Sequence, residues 1–260
     1  MPVSEAPEGD AELLFNAVRE AGALALSLQG QGLRHWQKSD GSPVTEADLA
    51  VDRLLRERLA AARPTYGWLS EETPDGAARL EAEALWIADP IDGTRSFAAG
   101  GDCWCVAVAL IRAGRPCLAA IYRPATEEFF SAIAGQGARR NGSAIAVRDG
   151  AIAGARVIGT SNALSLFDGQ PIAGQAPGAL PLQLRLAAVA SGVADGAVSL
   201  GRKNDWDLAA GDLLVQEAGG RAGSLAGETF VYNRHESWQQ GLLAAGASRH
   251  RALIGVIAKT

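Results

Sequence analysis

Apolar residues recur along the chain with two different periods. In 10–28, Leu13, Leu14, Ala17, Val18, Ala21, Leu24, Ala25 and Leu28 fall on one helical face, and Gly30 and Gly32 follow as a stop. Thr45-Glu46-Ala47-Asp48 reads as a capping box, and the helix behind it is expected to run to about residue 61. Shorter apolar runs bounded by turn residues predict strands at 66–69, 85–88, 103–111, 117–122 and 128–133. The run at 85–88 is expected to end on Asp89, because Pro90 cannot donate to a ladder. A second half begins at 156–159, where the pattern goes on to predict helices at 182–190, 205–218 and 248–258, with strands at 196–200 and 242–245. The Gly-, Pro- and Ala-rich stretch 164–178 shows no usable period.

Hairpins interleaved with helices predict an α/β chain of layered α+β type, in which helices alternate with mixed β-sheets. A length of 260 residues can bury a large core as one unit made of two packed lobes, about 1–150 and about 151–260. The chain is 48% hydrophobic and 20% charged, the balance of a folded globular protein. Its net charge of −5, without a basic run, argues against nucleic acid as the main partner. No apolar segment reaches membrane-spanning length, and the acidic start lacks the pattern of a signal peptide, so a cytoplasmic location is expected. The three cysteines form neither a disulfide framework nor a zinc motif. The three histidines lack metal-ligand spacing, which leaves a zinc hydrolase or a Ser-His-Asp hydrolase poorly supported.

The chemistry concentrates in acids at the ends of elements. Asp89 and Asp92 sit on one turn after a strand, followed by Gly93 and Thr94 at an expected helix start. Converging carboxylates repel unless a proton or cation lies between them. Backbone N–H groups at Gly93 and Thr94 suit an anion. Glu71 and Glu72 follow another strand, and Asp207 opens the 205–218 helix. Singly, each is an ordinary surface turn, solvated pair or helix cap. Jointly they describe a hard-cation site beside an anion site, the arrangement of metal-assisted phosphoryl chemistry.

The order of these motifs resembles the inositol monophosphatase superfamily of Mg²⁺-dependent, Li⁺-sensitive phosphatases. The family's W-x-x-D-P-[IL]-D-G-T signature is matched by Trp86-Ile87-Ala88-Asp89-Pro90-Ile91-Asp92-Gly93-Thr94, and its W-D-x-A-A and E-A-G-G segments by 206–210 and 217–220. Pro43-Val44-Thr45-Glu46-Ala47-Asp48 and Ser70-Glu71-Glu72 add two weaker matches. The resemblance implies a sandwich of alternating layers and a site for two or three Mg²⁺ ions. Their ligands would be Glu71, Asp89, Asp92, Asp207 and the backbone carbonyl of Ile91. It implies catalytic roles for Glu71 and Thr94 in orienting water, with Asp48 supporting the threonine. Substrate would meet Asp92, Gly93, Thr94 and Asp207. A homodimer is the expectation from the family, as is a small phosphorylated metabolite as partner. Lys38 matches a family lysine near the metals, whereas Asp52 is expected to be solvated.

The second half departs from inositol phosphatases. Leu180-Pro181-Leu182 stands where they carry G-[ST]-A, and the Glu they place before W-D is missing from 199–205. That weakens a strict inositol preference. Arg202 and Lys203 in that loop suit a second phosphate, which favours a 3′(2′),5′-bisphosphate nucleotide as substrate. Thr94-Arg95-Ser96-Phe97 instead resembles the histidinol-phosphatase branch, and inositol phosphate remains a rival. A protein-interaction role with vestigial activity is the alternative from another class.

Overall fold

The computed structural model describes residues 6–32, 34–37, 41, 43–175 and 180–259. Lys38 lies outside the described residues, as does part of the unassigned 164–178 stretch. The chain opens with α1 (Asp10–Leu28), then a short antiparallel hairpin of β1 (His35–Gln37) and β2 (Pro43–Thr45), then α2 (Glu46–Ala62). The capping box at the start of α2 is complete. Thr45 accepts from the N–H groups of Ala47 and Asp48, and the Asp48 carboxylate accepts from Thr45 N–H at 2.9 Å.

A first sheet, seven strands among the described residues, follows in chain order: β3 (Gly67–Ser70), β4 (Ala84–Asp92), β5 (Cys105–Arg112), β6 (Arg115–Arg123), β7 (Glu128–Ile133), β8 (Gly137–Arg140) and β9 (Ser143–Ala144). β3 and β4 are parallel, and the later pairs are antiparallel. Between β4 and β5 lies the short α3 (Thr94–Ala98). Asn141 and Gly142, both at positive φ, turn β8 into β9, as an Asn-Gly pair does in a tight hairpin.

The second sheet contains β10 (Arg156–Ile158), β11 (Ala173–Gln175), β12 (Gly196–Asn204), β13 (Gly220–Gly223) and β14 (Trp238–Gly246), in the spatial order β11-β10-β12-β14-β13. It is mixed: β10 runs parallel to β11 and β12, and β14 antiparallel to β12 and β13. The helices of this half are α4 (Ser161–Leu164), α5 (Leu182–Ala190), α6 (Ala209–Glu217) and α7 (Ala247–Ile257).

Alternation along the central strands sets the layers. Trp86, Ala88, Val106, Val108 and Leu110 face α1 and α2, together with Leu14, Val18, Val51 and Leu55. Leu85, Ile87, Cys105, Ala107 and Ala109 face the other way, onto Leu186, Val189, Leu213 and Leu214 of α5 and α6. The same helix pair covers Ala197, Leu242 and Ala244 of the second sheet. Val157, Val198, Leu243 and Leu253 close the far side beneath α7. Helix, sheet, helix, sheet and helix therefore alternate, as the sequence pattern predicts. Trp104 packs edge-on against Phe97 and is fully buried.

Candidate active site

The first sheet presents three acids at one edge of its inner face. On β4, Asp89 pairs opposite Ala107 and Asp92 opposite Cys105, so three steps of β4 match two of β5. That is a β-bulge with one extra residue. In an unbroken strand, residues three apart would point to opposite faces. The bulge removes this offset, and Asp89 and Asp92 share the face of Ala107 and Cys105. Here the sequence expectation is corrected: β4 continues through Pro90 to Asp92 because the bulge gives the proline a place without a ladder donor. Glu71 lies two residues beyond the inward-facing Leu69, and its N–H meets the Ala88 carbonyl at 3.4 Å.

Asp207 arrives from the second sheet. The predicted single helix over 205–218 is divided: a 3₁₀ turn, Asp205–Asp207, precedes α6. The Asp207 carboxylate turns back to accept from Asn204 N–H at 2.8 Å. The carbonyl of Trp206 is held by Gln183 Nε2 at 2.7 Å. Glu71, Asp89, Ile91, Asp92, Gly93, Thr94 and Asp207 line one cleft of about 360 Å³, together with Pro43, Arg95, Ser96, Leu180, Pro181 and Arg185. A larger groove of about 720 Å³ along the outer face of α2 intersperses acids with arginines instead of converging carboxylates.

Burial and mutual repulsion shape the charges. Burial, then the charges of Glu71, Asp92, Asp207 and Asp48, hold Asp89 well above the usual carboxylate range. Burial raises Asp92 to about 7, with Asp207 and Glu71 pushing the same way and the Gln183 N–H and Arg185 opposing. Burial also raises Asp207 to about 6. Asp89 Oδ1 is buried and accepts no hydrogen bond from the protein. Among the described residues, no group of three such side chains is drawn tightly enough to hold a metal ion as it stands. The donor chemistry nevertheless fits a hard divalent cation: every candidate ligand is an oxygen, and one buried oxygen lacks a partner.

Thr94 Oγ1 sits 3.0 Å from Asp48 Oδ1 and 3.0 Å from the Ile91 carbonyl. A hydroxyl has one proton to give, so donation to Asp48 leaves its lone pairs to accept a hydrogen bond from water. Asp48 is fixed by Thr45, whose hydroxyl is 2.6 Å from Asp48 Oδ2. Gly93 is obligatory here: its φ is +102°, and a Cβ would come within 2.6 Å of the Cys103 carbonyl.

Asp52 corrects a second expectation. It is buried, not solvated, and accepts from Ser70 Oγ at 2.5 Å and Thr73 Oγ1 at 2.6 Å. It thereby fixes both ends of the loop that carries Glu71. Lys203 donates to the Leu200 and Arg202 carbonyls and lines a second pocket of about 450 Å³, which shares Asp207 and Arg185 with the cleft. Arg202 is not brought to either pocket. It is exposed, with its guanidinium 4.4 Å from the Trp238 ring centre.

Sequence reasoning missed Gln183 and Arg185, both on α5. Gln183 is fully buried and donates its N–H to Asp92 Oδ2 at 2.7 Å. Its side chain spans the Trp206 carbonyl and the Gly211 N–H. A polar residue set among leucines was the available signal. Arg185 is half-buried and gave no signal beyond breaking the same apolar run.

The comparisons agree with this architecture. The model of the inositol monophosphatase family matches residues 8–259. An inositol-1-monophosphatase of Rhizobium meliloti (strain 1021) is 36% identical over 73% of this chain and 75% of its own. A histidinol-phosphatase of Chlorobaculum parvum is 33% identical over 95% and 96%. The 3′(2′),5′-bisphosphate nucleotidase CysQ of Escherichia coli (strain K12) is 32% identical over 77% and 84%. The crystal structure of the extragenic suppressor protein suhB from Bartonella henselae superposes with a TM-score of 0.83 at 26% identity, covering 95% of this chain and 98% of that one. With a family match across nearly its whole length, this chain belongs to the inositol monophosphatase family.

Proposed function

We propose that the chain is a Mg²⁺-dependent, Li⁺-sensitive phosphomonoesterase acting on a small phosphorylated metabolite, with a 3′(2′),5′-bisphosphate nucleotide as the favoured substrate. The observation that carries this reading is the β4 bulge, which aims Asp89 and Asp92 into the cleft that Glu71 and Asp207 also line. Glu71, Asp89, Asp92, Asp207 and the Ile91 carbonyl would hold two or three Mg²⁺. Bound Mg²⁺ would neutralise phosphate charge and make water a stronger nucleophile.

The protein's own groups then do the positioning. Asp48 holds the Thr94 hydroxyl, which accepts a hydrogen bond from the attacking water and takes up its proton only as its own passes to the Asp48 carboxylate, and Glu71 fixes that water on its other side. The N–H groups of Gly93 and Thr94 face the phosphate oxygens. Attack in line with the leaving alkoxide requires no covalent enzyme intermediate. A homodimer, carried over from the family, and a cytoplasmic location, expected from the sequence pattern, are part of the same reading. Histidinol phosphate is the second reading, favoured by the near-complete coverage of the histidinol-phosphatase relative and by Arg95 in the cleft lining.

Phosphate release should be measured with 3′-phosphoadenosine 5′-phosphate, histidinol phosphate and inositol 1-phosphate, with Mg²⁺, with EDTA, and with Mg²⁺ plus Li⁺. The expected result is Mg²⁺-dependent, Li⁺-inhibited release, fastest from the bisphosphate. Full activity after chelation would overturn the metal reading. Fastest release from histidinol phosphate would exchange the two substrates. Specific capture of a protein partner without turnover of any phosphate ester would favour the interaction role instead.

A further inference from the structure

Arg79 lies in the short 3₁₀ turn Ala77–Glu81 and is only 4% exposed. A buried guanidinium needs acceptors in several directions. Asp75 supplies two: its oxygens accept from Nε at 2.6 Å and from Nη2 at 2.8 Å, which already balances the charge. The remaining bonds leave the neighbourhood. Nη1 donates to Asn233 Oδ1 at 2.8 Å and Nη2 to the Arg234 carbonyl at 3.0 Å, 154 and 155 residues away in sequence. Asn233 Nδ2 donates in return to the Arg79 carbonyl at 3.2 Å.

The two ends of this bridge lead to different walls of the cleft. Asp75 closes the loop that carries Glu71, and Asp52 holds the same loop through Ser70 and Thr73. Asn233 and Arg234 belong to segment 230–237, which runs up to β14 without helix or strand. That segment seats the 3₁₀ turn of Asp207. The Ser237 carbonyl accepts from Asp205 N–H at 2.9 Å. Gln239 Nε2 spans the Val231 carbonyl at 2.8 Å and Asp205 Oδ1 at 2.9 Å. Arg234 folds back onto the Trp238 carbonyl. Glu71 and Asp207 line one cleft but follow strands of different sheets, so the ladders of neither sheet set their spacing.

Resting on the metal reading above, we propose that Arg79 is a positioning residue for the cleft: it ties the Glu71 loop to the segment that seats Asp207, and so sets the spacing of these two carboxylates for a divalent cation. An ion pair that only neutralised Arg79 would stop at Asp75; the contacts to Asn233 and Arg234 carry the assignment. With the bridge made, the two loops are ordered before the cation arrives. Without it, part of that ordering cost falls on binding. Arg79 itself does not line the cleft, so its loss should weaken the cation more than the chemistry.

The test compares wild type, Arg79→Gln, Arg79→Lys, Asn233→Gly, the double variant Arg79→Gln/Asn233→Gly, and Arg63→Gln. The Mg²⁺ dissociation constant of the substrate-free protein is taken from the dependence of melting temperature on Mg²⁺ concentration. Phosphate release is then followed against Mg²⁺, with whichever of the three esters above wild type turns over fastest. Arg79→Gln should raise the dissociation constant and the half-saturating Mg²⁺ by roughly tenfold to a hundredfold, the range for disturbing an outer partner of a metal ligand, with kcat at saturating Mg²⁺ close to wild type. Asn233 stands at a φ of +56°, which glycine adopts freely, so Asn233→Gly removes the amide without straining the backbone. It should shift Mg²⁺ binding in the same direction, and the double variant should go no further than Arg79→Gln alone, because both cut one bridge. Arg79→Lys should restore part of the affinity. Arg63→Gln breaks a different buried contact, with Asp10 between α1 and α2, and should melt lower without moving Mg²⁺ binding.

A shift in Arg79→Gln that Asn233→Gly does not share would show that Arg79 supports only its own loop, and would overturn the bridge. Mg²⁺ affinity unchanged in both variants, or lowered equally in Arg63→Gln, would overturn it too and leave the metal reading intact. Should Arg79→Gln fail to fold, Asn233→Gly carries the same decision. A wild type whose melting and turnover both ignore Mg²⁺ would sink the metal reading itself, and the positioning role with it.

Discussion

At the scale of single residues, the site is a set of charges held where the fold alone would not keep them. Asp92 lies among Asp89, Asp207 and Glu71, and burial raises it to about 7. Asp92→Asn removes one charge from this group and keeps an oxygen for the Gln183 N–H. In EDTA the variant should melt at or above the wild-type temperature, because relieved repulsion offsets what is lost. Its turnover should fall by more than about a hundredfold, the upper end for disturbing an outer partner of a metal ligand. The rise in melting temperature that Mg²⁺ gives wild type should shrink as well, since that rise measures binding to the folded state. A variant that melts far below wild type and still turns over normally at saturating Mg²⁺ would remove Asp92 from the ligand set.

At the scale of elements, Gln183 joins the two halves of the site. Its backbone holds Asp92 at the end of β4, and its side chain holds the Trp206 carbonyl and the third N–H of α6 on either side of Asp207. Gln183→Leu keeps the volume and leaves a buried donor and a buried acceptor unpaired, each costing about 1–3 kcal/mol. The variant should melt lower and need more Mg²⁺ for half-maximal activity, while Gln183→Glu, which keeps an acceptor for Gly211, should melt between the two. Unchanged Mg²⁺ dependence in Gln183→Leu would reduce the residue to a packing role. These contacts also mark the limit of what could be read from the chain. The helices α1, α2, α5 and α7 follow from apolar period and caps, and the acids follow from their motif. The extension of β4 through Pro90 does not, because a bulge depends on the register of its neighbour. Gln183, Arg185 and the burial of Asp52 are equally invisible locally: each acquires its role from an element distant in sequence. Arg202 shows the converse, since position beside Lys203 did not reveal that Trp238 would draw it away.

For the whole molecule, burying so many carboxylates reverses the usual effect of acid over a defined range. Burial raises Asp205, Asp207 and Asp212 to about 6 and Asp92 to about 7, from an ordinary value of 3.8. Between about pH 4 and these values the folded chain keeps protons that the unfolded chain has released. Stability must then rise as pH falls from about 7 towards 4, and be lost as pH climbs through the folded values. Asp212 alone accounts for on the order of 3 kcal/mol, converting its rise at about 1.4 kcal/mol per unit. His250 acts the other way, because burial lowers it and protonation favours the unfolded chain. Asp75, Asp149 and Asp195, lowered by hydrogen bonds and by arginines, lose their contributions below about pH 4, outside this window. Urea unfolding in EDTA should therefore give a larger free energy at pH 5 than at pH 7.5. Saturating Mg²⁺ should remove the share owed to Asp92 and Asp207, since the cation takes the place of their protons in the folded state. Asp212 lies away from the cleft, where it accepts from Tyr232 at 3.0 Å and Gln216 at 2.6 Å, so its share should survive Mg²⁺. Asp212→Asn should be more stable than wild type at pH 7.5, nearly equal to it at pH 4.5, and less steep in between with or without the cation. A wild-type free energy that falls steadily from pH 7.5 to pH 5 in EDTA would mean that His250 and the lowered acids outweigh the buried carboxylates.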